Sequence, residues 1–399
     1  MFRVNGEMDR EISMNTAHTE PDIVKSKLSG RNGCTAFHRP ELDILRFGAF
    51  LMVFLVHGVG NIPVWNTLAK HYKPIGGRGV DLFFVLSAYL ITSILLREQN
   101  TSGAINVLNF YIRRILRIWP LYFAFLLLLA PHFLPQRNTR DTLAMFFFLG
   151  NWFALFHGIT PGHLWSLSME EQFYAAWPIV MRASKKWAIT VCVTLLLAGI
   201  ALRWSLIHFH LFHSQPQMLN KWTFSRIDGI PFGALLAFMG VPRLSRTAAW
   251  ALLFTGAFAV AFAGPLVPQA LQLTLAAAGC AALLVSFLSL EFRNRYLEYL
   301  GKISFGLYIF HPVVLDIARS LIPHRTLAQW LVGTSAAFVF TVVAAAVSYR
   351  WFEWPFLRLK DRYAVIRRGS SNQDAKTRSI ERKSGASLGH YQTSPNLLK

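Results

Sequence analysis

The sequence has few charged residues for its length, and acidic residues are the scarcest of them. Among 399 residues there are 20 Asp and Glu against 40 Lys and Arg, so that 15% of the chain is charged and 53% is hydrophobic. The mean hydropathy is +0.37. Soluble globular domains carry about 25% charged residues. This composition excludes a soluble enzyme of this size and is typical of a protein that crosses a membrane several times.

Cysteine is also scarce, and its distribution argues against a metal site. The three cysteines, Cys34, Cys192 and Cys280, lie far apart in the sequence, and none has the short spacing of metal ligands. We therefore predict neither a disulfide framework nor a zinc site, and no metal cofactor.

A net charge of +20 would suit a nucleic-acid partner, but its distribution does not. The basic residues cluster in short segments between apolar stretches, as at 113–117 and 293–295, and in the C-terminal tail. Basic loops that alternate with apolar spans are what the positive-inside rule produces. The charge therefore indicates membrane topology, and we expect no nucleic-acid partner.

Apolar runs long enough to cross a bilayer, at about 17 to 25 residues each, recur along the chain. They cover residues 42–60, 78–96, 118–134, 165–181, 188–207, 224–241, 247–264, 268–290, 303–322 and 328–350. A further run at 141–156 would put the basic loops out of phase, so we interpret it as a short non-spanning helix on the outer side. The sequence predicts an all-α polytopic membrane protein of about ten transmembrane helices with both termini in the cytoplasm.

The two ends of the chain differ in composition from this central part. Residues 1–40 and 361–399 are rich in Ser, Asn, Gln, Lys and Arg and poor in large apolar groups. We predict that both are disordered cytoplasmic tails, the C-terminal one basic. Residues 41–360 contain no repeat of fixed period and are predicted to form one membrane domain.

Two basic side chains, Arg46 and His57, lie within the first apolar run. They are eleven residues apart, which at about 100° per residue places them within about 20° of the same helix face. Asp43 lies on that side too. Ionisable groups at membrane depth are costly, so they normally face a cavity and mark a functional site. This polar stripe is the clearest functional signal in the sequence.

The predicted topology sorts the other polar residues of the spans into two layers. The outer layer holds His57, Asp81, Glu170, Arg226 and Asp228, and the cytoplasmic layer holds Arg46, Arg113, Arg114 and Arg117. An imidazole among carboxylates on one side and an arginine cluster on the other suit a two-sided enzyme. Such an enzyme would bind an anionic donor from the cytoplasm and deprotonate a neutral acceptor near the outer face.

Each member of the outer layer also has a structural interpretation. His57 could be a buried histidine satisfied by a backbone carbonyl. Asp81 could cap its helix or pair with Arg78, and Arg226 could form an ion pair with Asp228.

The same holds for the remaining candidates. His311, which precedes Pro312, could stabilise the helix that the proline disrupts. One of the adjacent residues Glu170 and Glu171 is expected to pair with an arginine, since neighbouring helix positions point apart. The three arginines of the 113–117 segment would be ordinary positive-inside residues without further support.

Seven short motifs in this order resemble the acyltransferase 3 family of membrane acyltransferases. They are Leu42-Asp-Ile-Leu-Arg46 with His57, Gly79-Val-Asp-Leu-Phe-Phe-Val-Leu-Ser87, Phe110 to Pro120, Leu164 to Tyr174, Arg226-Ile-Asp228 with Gly233, Leu300 to His311, and Glu353-Trp-Pro355. The resemblance extends over about 320 residues. One departure is Ala88, which stands where glycine is usual after Val-Leu-Ser.

The resemblance implies an integral membrane protein of about ten helices that moves an acyl group from cytoplasmic acyl-CoA to an acceptor hydroxyl. In that family the Arg and His of the first span are essential, and an arginine pair in the first cytoplasmic loop is linked to the acyl donor. These features fall on Arg46, His57, Arg114 and Arg117, with Arg113 beside them. The first glutamate of the Trp-Ser-Leu-Ser motif falls on Glu170.

Together these inferences give a mechanistic hypothesis. His57, oriented by Asp81 or Glu170, would act as general base on a hydroxyl of a cell-surface or exported carbohydrate. The resemblance implies acyl-CoA, as acetyl-CoA, as the co-substrate. Arg226, Asp228, His311 and Glu353 would contact the acceptor or serve the structure. A covalent acyl-histidine route stays open. The resemblance also implies a multi-pass protein of the bacterial inner membrane.

A non-enzymatic interpretation stays open beside this one. Intramembrane Arg, His and Asp residues could form the relay of a proton-coupled transporter or flippase of a glycan or small molecule. The absence of a two-half repeat and the compact arginine cluster argue against it.

Overall fold

The structure, a computed structural model, describes residues 39–58, 66–128, 139–152, 162–210, 221–242, 244–322 and 326–363. All regular structure within these ranges is helical. The α-helices are α1 (Pro40–Gly58), α2 (Asn66–Ser102), α3 (Val107–Leu128), α4 (Thr139–Phe146), α5 (Trp165–Ala183), α6 (Lys185–His208), α7 (Gly229–Met239), α8 (Arg246–Leu266), α9 (Gln269–Leu290), α10 (Arg295–Lys302), α11 (Ser304–Leu321), α12 (Leu327–Val347) and α13 (Trp354–Lys360). The predicted tails lie almost wholly outside the described residues, so their disorder stays a prediction.

Four shorter helical pieces complete the described part of the chain. Three are 3-10 turns: Gly162–Leu164 and Thr223–Ser225, which precede α5 and α7, and Asp361–Tyr363, which follows α13. The fourth is a π-helical stretch, Ser348–Glu353, which continues α12 into α13.

Several of the helices are long and apolar enough to cross a bilayer. In the described ranges these are Gly76–Ser102, Lys185–His208, Arg246–Gly264, Gln269–Leu290 and Leu327–Tyr363. Helices α10 and α11 meet at 72° and add a sixth if they form one span. The protein is therefore all-helical with five or six candidate membrane spans.

Helices α1, α3 and α5 are not among these spans, because any 18-residue stretch of each contains three charged side chains. In α3 they are Arg113, Arg114 and Arg117, and in α5 they include Glu170 and Glu171. Several of these charged side chains belong to the candidate site. The prediction of about ten transmembrane helices counts these three and stays a prediction.

The predicted span 224–241 is wrong in its length. Only Gly229–Met239 is α-helical, and a helix of this size is about 16 Å long, roughly half the hydrocarbon thickness of a bilayer. It ends at Gly240, whose φ of 77° favours glycine. Before it, Arg226 and Asp228 are held in buried ion pairs rather than in a helix.

The 141–156 segment agrees with a non-spanning helix in its described part. Helix α4 has eight residues, which corresponds to about 12 Å. The chain leaves it at Phe148, whose φ is 54°, a value that helices do not continue through. Residues 153–156 lie outside the described ranges.

Helix α1 packs against four other helices, α2, α9, α10 and α11. One face carries Phe47, Phe50 and Phe54, which pack against α11 and α12. The opposite face packs against α2 and α9 through Leu42, Leu45 and Ala49. Burying a large apolar side chain contributes about 1.5–3 kcal/mol, so these contacts fix the direction in which Arg46 and His57 point.

Glycine allows the closest of these approaches. A Cβ atom on Gly79 of α2 would lie 2.5 Å from the Ala49 carbonyl oxygen of α1. One on Gly301 of α10 would lie 1.9 Å from the carbonyl oxygen of Asp43. Both distances are too short for a side chain, so α2 and α10 pack against α1 backbone to backbone.

Candidate active site

A cavity of about 430 Å³, here called the histidine cavity, lies beside the C-terminal end of α1. His57 opens into it. Its other polar lining residues are His163, Lys221, Tyr308, Asp316 and Arg319. Burial lowers the pKa of Lys221, which lies outside the spanning helices. The cavity therefore combines an imidazole with groups of both charges at its edge.

His57 is fixed on both its main chain and its ring. Arg319 donates to its carbonyl oxygen, one of the four that the end of a helix leaves without a partner. The ring nitrogen Nδ1 lies 3.1 Å from Nε2 of His311, and Nδ1 of His311 lies 2.8 Å from the Tyr308 carbonyl oxygen. The His57 imidazole that faces the cavity thus contacts a second imidazole, that of the fully buried His311.

This geometry corrects the prediction that Asp81 or Glu170 orients His57. Neither carboxylate contacts the ring, because each is bonded elsewhere. Asp81 accepts from Arg226 at 3.1 Å, and Arg78 lies 3.6 Å from its other oxygen. Its pairing with Arg78, one of the two interpretations left open, is confirmed.

Asp228 and Arg226 do not form the ion pair that their sequence proximity suggests. Asp228 instead receives two hydrogen bonds, of 2.6 and 2.9 Å, from Arg203 of α6. Arg226 points the other way, toward Asp81 and the Gly77 carbonyl oxygen at 2.7 Å. Two residues apart in a tight turn, the side chains face different neighbouring helices.

A second cavity of about 90 Å³, here called the arginine cavity, lies near the N-terminal half of α1. Arg46, Arg114, Arg117, Glu170 and Tyr174 line it. No carboxylate oxygen of the described residues lies within ion-pair distance of Arg114 or Arg117. The guanidinium group of Arg114 lies over the Tyr174 ring, 5.5 Å from its centroid. Two arginines without an ion-pair partner at a cavity suit the binding of an anion.

Arg46, the third arginine of this cavity, lies one helical turn from Asp43 and donates to it at 2.7 Å. Its side chain is 16% exposed. A partly satisfied, partly accessible guanidinium of this kind retains donors for a further ligand.

Glu170 belongs to the arginine cavity rather than to the outer layer in which it was predicted. Its two oxygens accept from Ser87 and Tyr174, each at 3.0 Å. The neighbouring Glu171 accepts from Trp119 at 3.0 Å. The expected ion pair of one of these glutamates with an arginine is not present among the described residues.

The comparisons with known proteins agree with the motifs that line these cavities. The acyltransferase domain of the acyltransferase 3 family matches residues 39–350, most of the chain. The chain belongs to the acyltransferase 3 family.

Relatives in this family are O-acetyltransferases by name. Peptidoglycan O-acetyltransferase OatA of Listeria monocytogenes is 27% identical over 358 residues, which cover 79% of this chain and 55% of that protein. O-acetyltransferase OatA of Staphylococcus aureus is 25% identical over 370 residues, with 79% and 57% covered. This acyltransferase 3 chain thus spans little more than half the length of these relatives. No solved structure matches it.

Two residues singled out from the acyltransferase 3 motifs have structural partners. Arg113 donates to Glu98 and to the Tyr363 carbonyl oxygen, each at 2.9 Å. It does not line the arginine cavity, because it lies about 100° around the helix from Arg114, and its role in binding the donor stays a prediction. Glu353 accepts from Ser348 at 3.1 Å at the end of the π-helical stretch.

Tyr308 separates the two cavities and is the one described residue that lines both. Its hydroxyl group lies 2.6 Å from the Ser166 hydroxyl and donates to the His163 carbonyl oxygen at 2.8 Å. Tyr308 thus lies between the cavity that holds Arg114 and the cavity that holds His57 in this part of the acyltransferase 3 domain.

Three residues of this region were not selected from the sequence. They are His163 and Tyr308 at the cavities and Arg203, whose side chain is almost fully buried against Asp228. Both ring nitrogens of His163 are buried, with no hydrogen-bond partner in the described structure. The available signals were a histidine directly before the Leu164 motif, a tyrosine within the His311 motif, and an arginine inside an apolar run.

No group of three or more His, Cys, Asp or Glu residues suited to a metal ion occurs in the described ranges.

Proposed function

We propose that the protein is a membrane O-acyltransferase that moves an acetyl group from acetyl-CoA to a hydroxyl group of a cell-envelope or exported carbohydrate. The observation that carries this proposal is the arrangement of the two cavities along α1. Arg46 at one and His57 at the other are separated by about 16 Å of helix, with Tyr308 between them. The site thus has a place for an anionic donor and a place for a base.

The arginine cavity is the proposed donor site. Arg114 and Arg117 would bind the phosphate groups of CoA through charge-assisted hydrogen bonds. Arg46 would contact the pantetheine arm or the charge that develops during transfer. The pantetheine arm is an extended chain, which suits the distance from this cavity to His57.

His57 is the proposed general base at the histidine cavity. As the acceptor hydroxyl attacks the thioester carbonyl carbon, its proton passes to the imidazole. The tetrahedral intermediate then collapses, the carbon–sulfur bond breaks, and the imidazolium returns the proton to the departing CoA thiolate. The new ester bond and free CoA balance the reaction without a further reactant.

A carbohydrate acceptor is supported by the name of the Listeria monocytogenes relative, which acetylates peptidoglycan. The histidine cavity suits such an acceptor, because Trp165 offers an aromatic face and Asp316 and Arg319 offer hydrogen bonds. We further propose about ten transmembrane helices in a bacterial inner membrane. Both termini, the arginine cavity and the donor would then be cytoplasmic, since the Arg114 segment is a basic loop.

The proposal is tested with the protein in nanodiscs, radiolabelled acetyl-CoA and a glycan acceptor. The wild-type protein should label the glycan, and H57A should lose at least about 100-fold in rate. CoA should raise the thermal stability of the wild type and of H57A alike. A ligand at 100 times its dissociation constant stabilises by about 2.7 kcal/mol, and this gain should vanish in R114M/R117M.

The matched control is K186A, which removes an exposed cation on α6 that lines neither cavity. It should leave both labelling and CoA stabilisation unchanged. Labelling at the wild-type rate by H57A would refute the base, and CoA stabilisation of R114M/R117M equal to that of the wild type would refute the donor site. A wild-type protein that moves glycan but never labels it would be a transporter.

A further inference from the structure

His311 is a buried imidazole for which the proposed reaction has no role so far. It lies on α11, is 0% exposed, and packs edge-on against Phe50 at 5.8 Å between ring centroids. Its ring nitrogens lie within hydrogen-bond distance of the Tyr308 carbonyl oxygen and the His57 ring, and the Leu307 backbone also faces the ring. These two contacts determine where its protons lie.

The first contact is a consequence of the proline that follows. In an α-helix the carbonyl of Tyr308 would accept from the backbone N–H of residue 312, but that residue is Pro312 and has none. The carbonyl is therefore left without its helical donor. Nδ1 of His311 lies 2.8 Å from it, and because a carbonyl oxygen only accepts, this nitrogen carries a proton.

The second contact follows from the first. A fully buried imidazole without a carboxylate among its contacts is neutral, so His311 carries one proton and its Nε2 is an acceptor. Nδ1 of His57, at 3.1 Å from that nitrogen, must then be the donor. This leaves Nε2 of His57 unprotonated, which is the form that a general base needs.

We propose that His311 is a positioning residue that holds His57 in the tautomer with a free Nε2, through the chain Tyr308 carbonyl, His311, His57. This inference rests on the proposed function. His311 itself exchanges no proton with the substrates, because its own proton faces a carbonyl that cannot take it. It does the work of the orienting carboxylate in a catalytic triad, with a neutral ring in place of a charge.

The groups around His57 are consistent with a role in orientation rather than charge. Besides His311, the titratable groups that face it are Arg319 and Asp316 of α11, Lys221 from the segment before α7, and His163 before α5. Two are cations and one is an anion, and the hydrogen-bond contacts of the ring itself are to neutral groups, the His311 ring and the Val53 backbone. The tautomer is thus set by hydrogen bonding.

Two substitutions separate the two contacts of His311. In H311N the amide nitrogen lies near the position of Nδ1 and can still donate to the Tyr308 carbonyl, but nothing replaces Nε2. In H311Q the longer side chain brings an amide oxygen to the position of Nε2, where it can accept from His57. The first variant keeps the bond that stabilises the helix, and the second keeps the bond to the base.

The experiment measures acetyl transfer and the histidine tautomers of the full-length protein in nanodiscs. We expect kcat of H311N to fall about 100-fold with the KM for acetyl-CoA and the stabilisation by CoA unchanged, since the arginine cavity is remote. H311Q should recover at least tenfold of this loss. In 15N-histidine spectra, a signal assigned by its absence in H57A should show unprotonated Nε2 in the wild type and a mixture of tautomers in H311N.

Two results would overturn the inference. One is an H311N enzyme with the wild-type kcat. The other is an H311Q enzyme that is no faster than H311N, although CoA stabilises both variants and so shows that both are folded. A wild-type protein without transfer activity would instead refute the proposed function. Activity that depends on His57 but not on His311 would leave that function standing and remove only this role.

Discussion

Replacing Asp81 with asparagine removes the carboxylate that Arg78 and Arg226 share. Asp81 is 2% exposed, and the two arginines are 7% and 6% exposed, so both buried cations lose the ion pair that they make with Asp81. Removing one partner of a buried ion pair costs about 3–5 kcal/mol. The hydrogen bond from Arg226 to the Gly77 carbonyl survives and offsets part of this cost. We expect D81N to lose about 3 kcal/mol of stability.

The assay is thermal unfolding in nanodiscs, together with acetyl transfer per folded molecule. If Asp81 acts only through its ion pairs, D81N should unfold at a lower temperature but keep most of its rate when folded. The double variant D81N/R226M is the control, because it also removes one of the two cations that pair with Asp81. It should be more stable than D81N alone, so the effects of the two substitutions on stability should not be additive.

The opposite pattern would refute this reasoning. A D81N protein with the wild-type unfolding temperature and a rate reduced 100-fold or more would place Asp81 in the chemistry, as the sequence had suggested. Equal stability of D81N and D81N/R226M would show that Arg226 does not destabilise the protein when Asp81 is removed.

Two further predictions concern packing and the arginine cluster. A Cβ atom on Gly301 would overlap the Asp43 carbonyl, so G301A should lower the free energy of unfolding by at least about 1–3 kcal/mol. G264A is the control, because open space surrounds that position, and it should be neutral or stabilising in thermal unfolding. Equal effects of the two substitutions would contradict the close approach of α10 to α1. Arg113 forms an ion pair with the buried Glu98, so R113M should lower the free energy of unfolding by about 1–3 kcal/mol. It should leave the stabilisation of the folded protein by CoA intact. A loss of CoA binding would instead show that Arg113 belongs to the donor site.

The helices were largely predictable because their physical cause is local. An apolar run must form a helix in a bilayer to satisfy its own backbone, and α6, α8, α9 and α12 begin within a few residues of the predicted runs. The Arg46 and His57 stripe was predictable for the same reason, since both lie on one helix. Helix α7 was not, because Arg226 and Asp228 interrupt the apolar run through partners that are distant in sequence.

The partners of polar side chains were the part that the sequence could not provide. A two-residue spacing suggested Arg226 with Asp228, but the neighbours of each are set by the packing of α2 and α6 around the turn. Glu170 was placed with His57 because both were counted from the outer ends of their spans. The structure has His163 at the level of His57 and Glu170 seven residues further along, which is about 10 Å deeper.

His311 shows why a structural and a functional interpretation need not exclude each other. The sequence offered the stabilisation of a proline-disrupted helix as the alternative to a role in the reaction. An imidazole has two nitrogens, however, and one of them satisfies the carbonyl that Pro312 leaves free while the other contacts His57. The helical defect fixes the proton on Nδ1, and this in turn makes Nε2 an acceptor. In the proposed mechanism, the proline that interrupts the helix thereby sets the tautomer of the base.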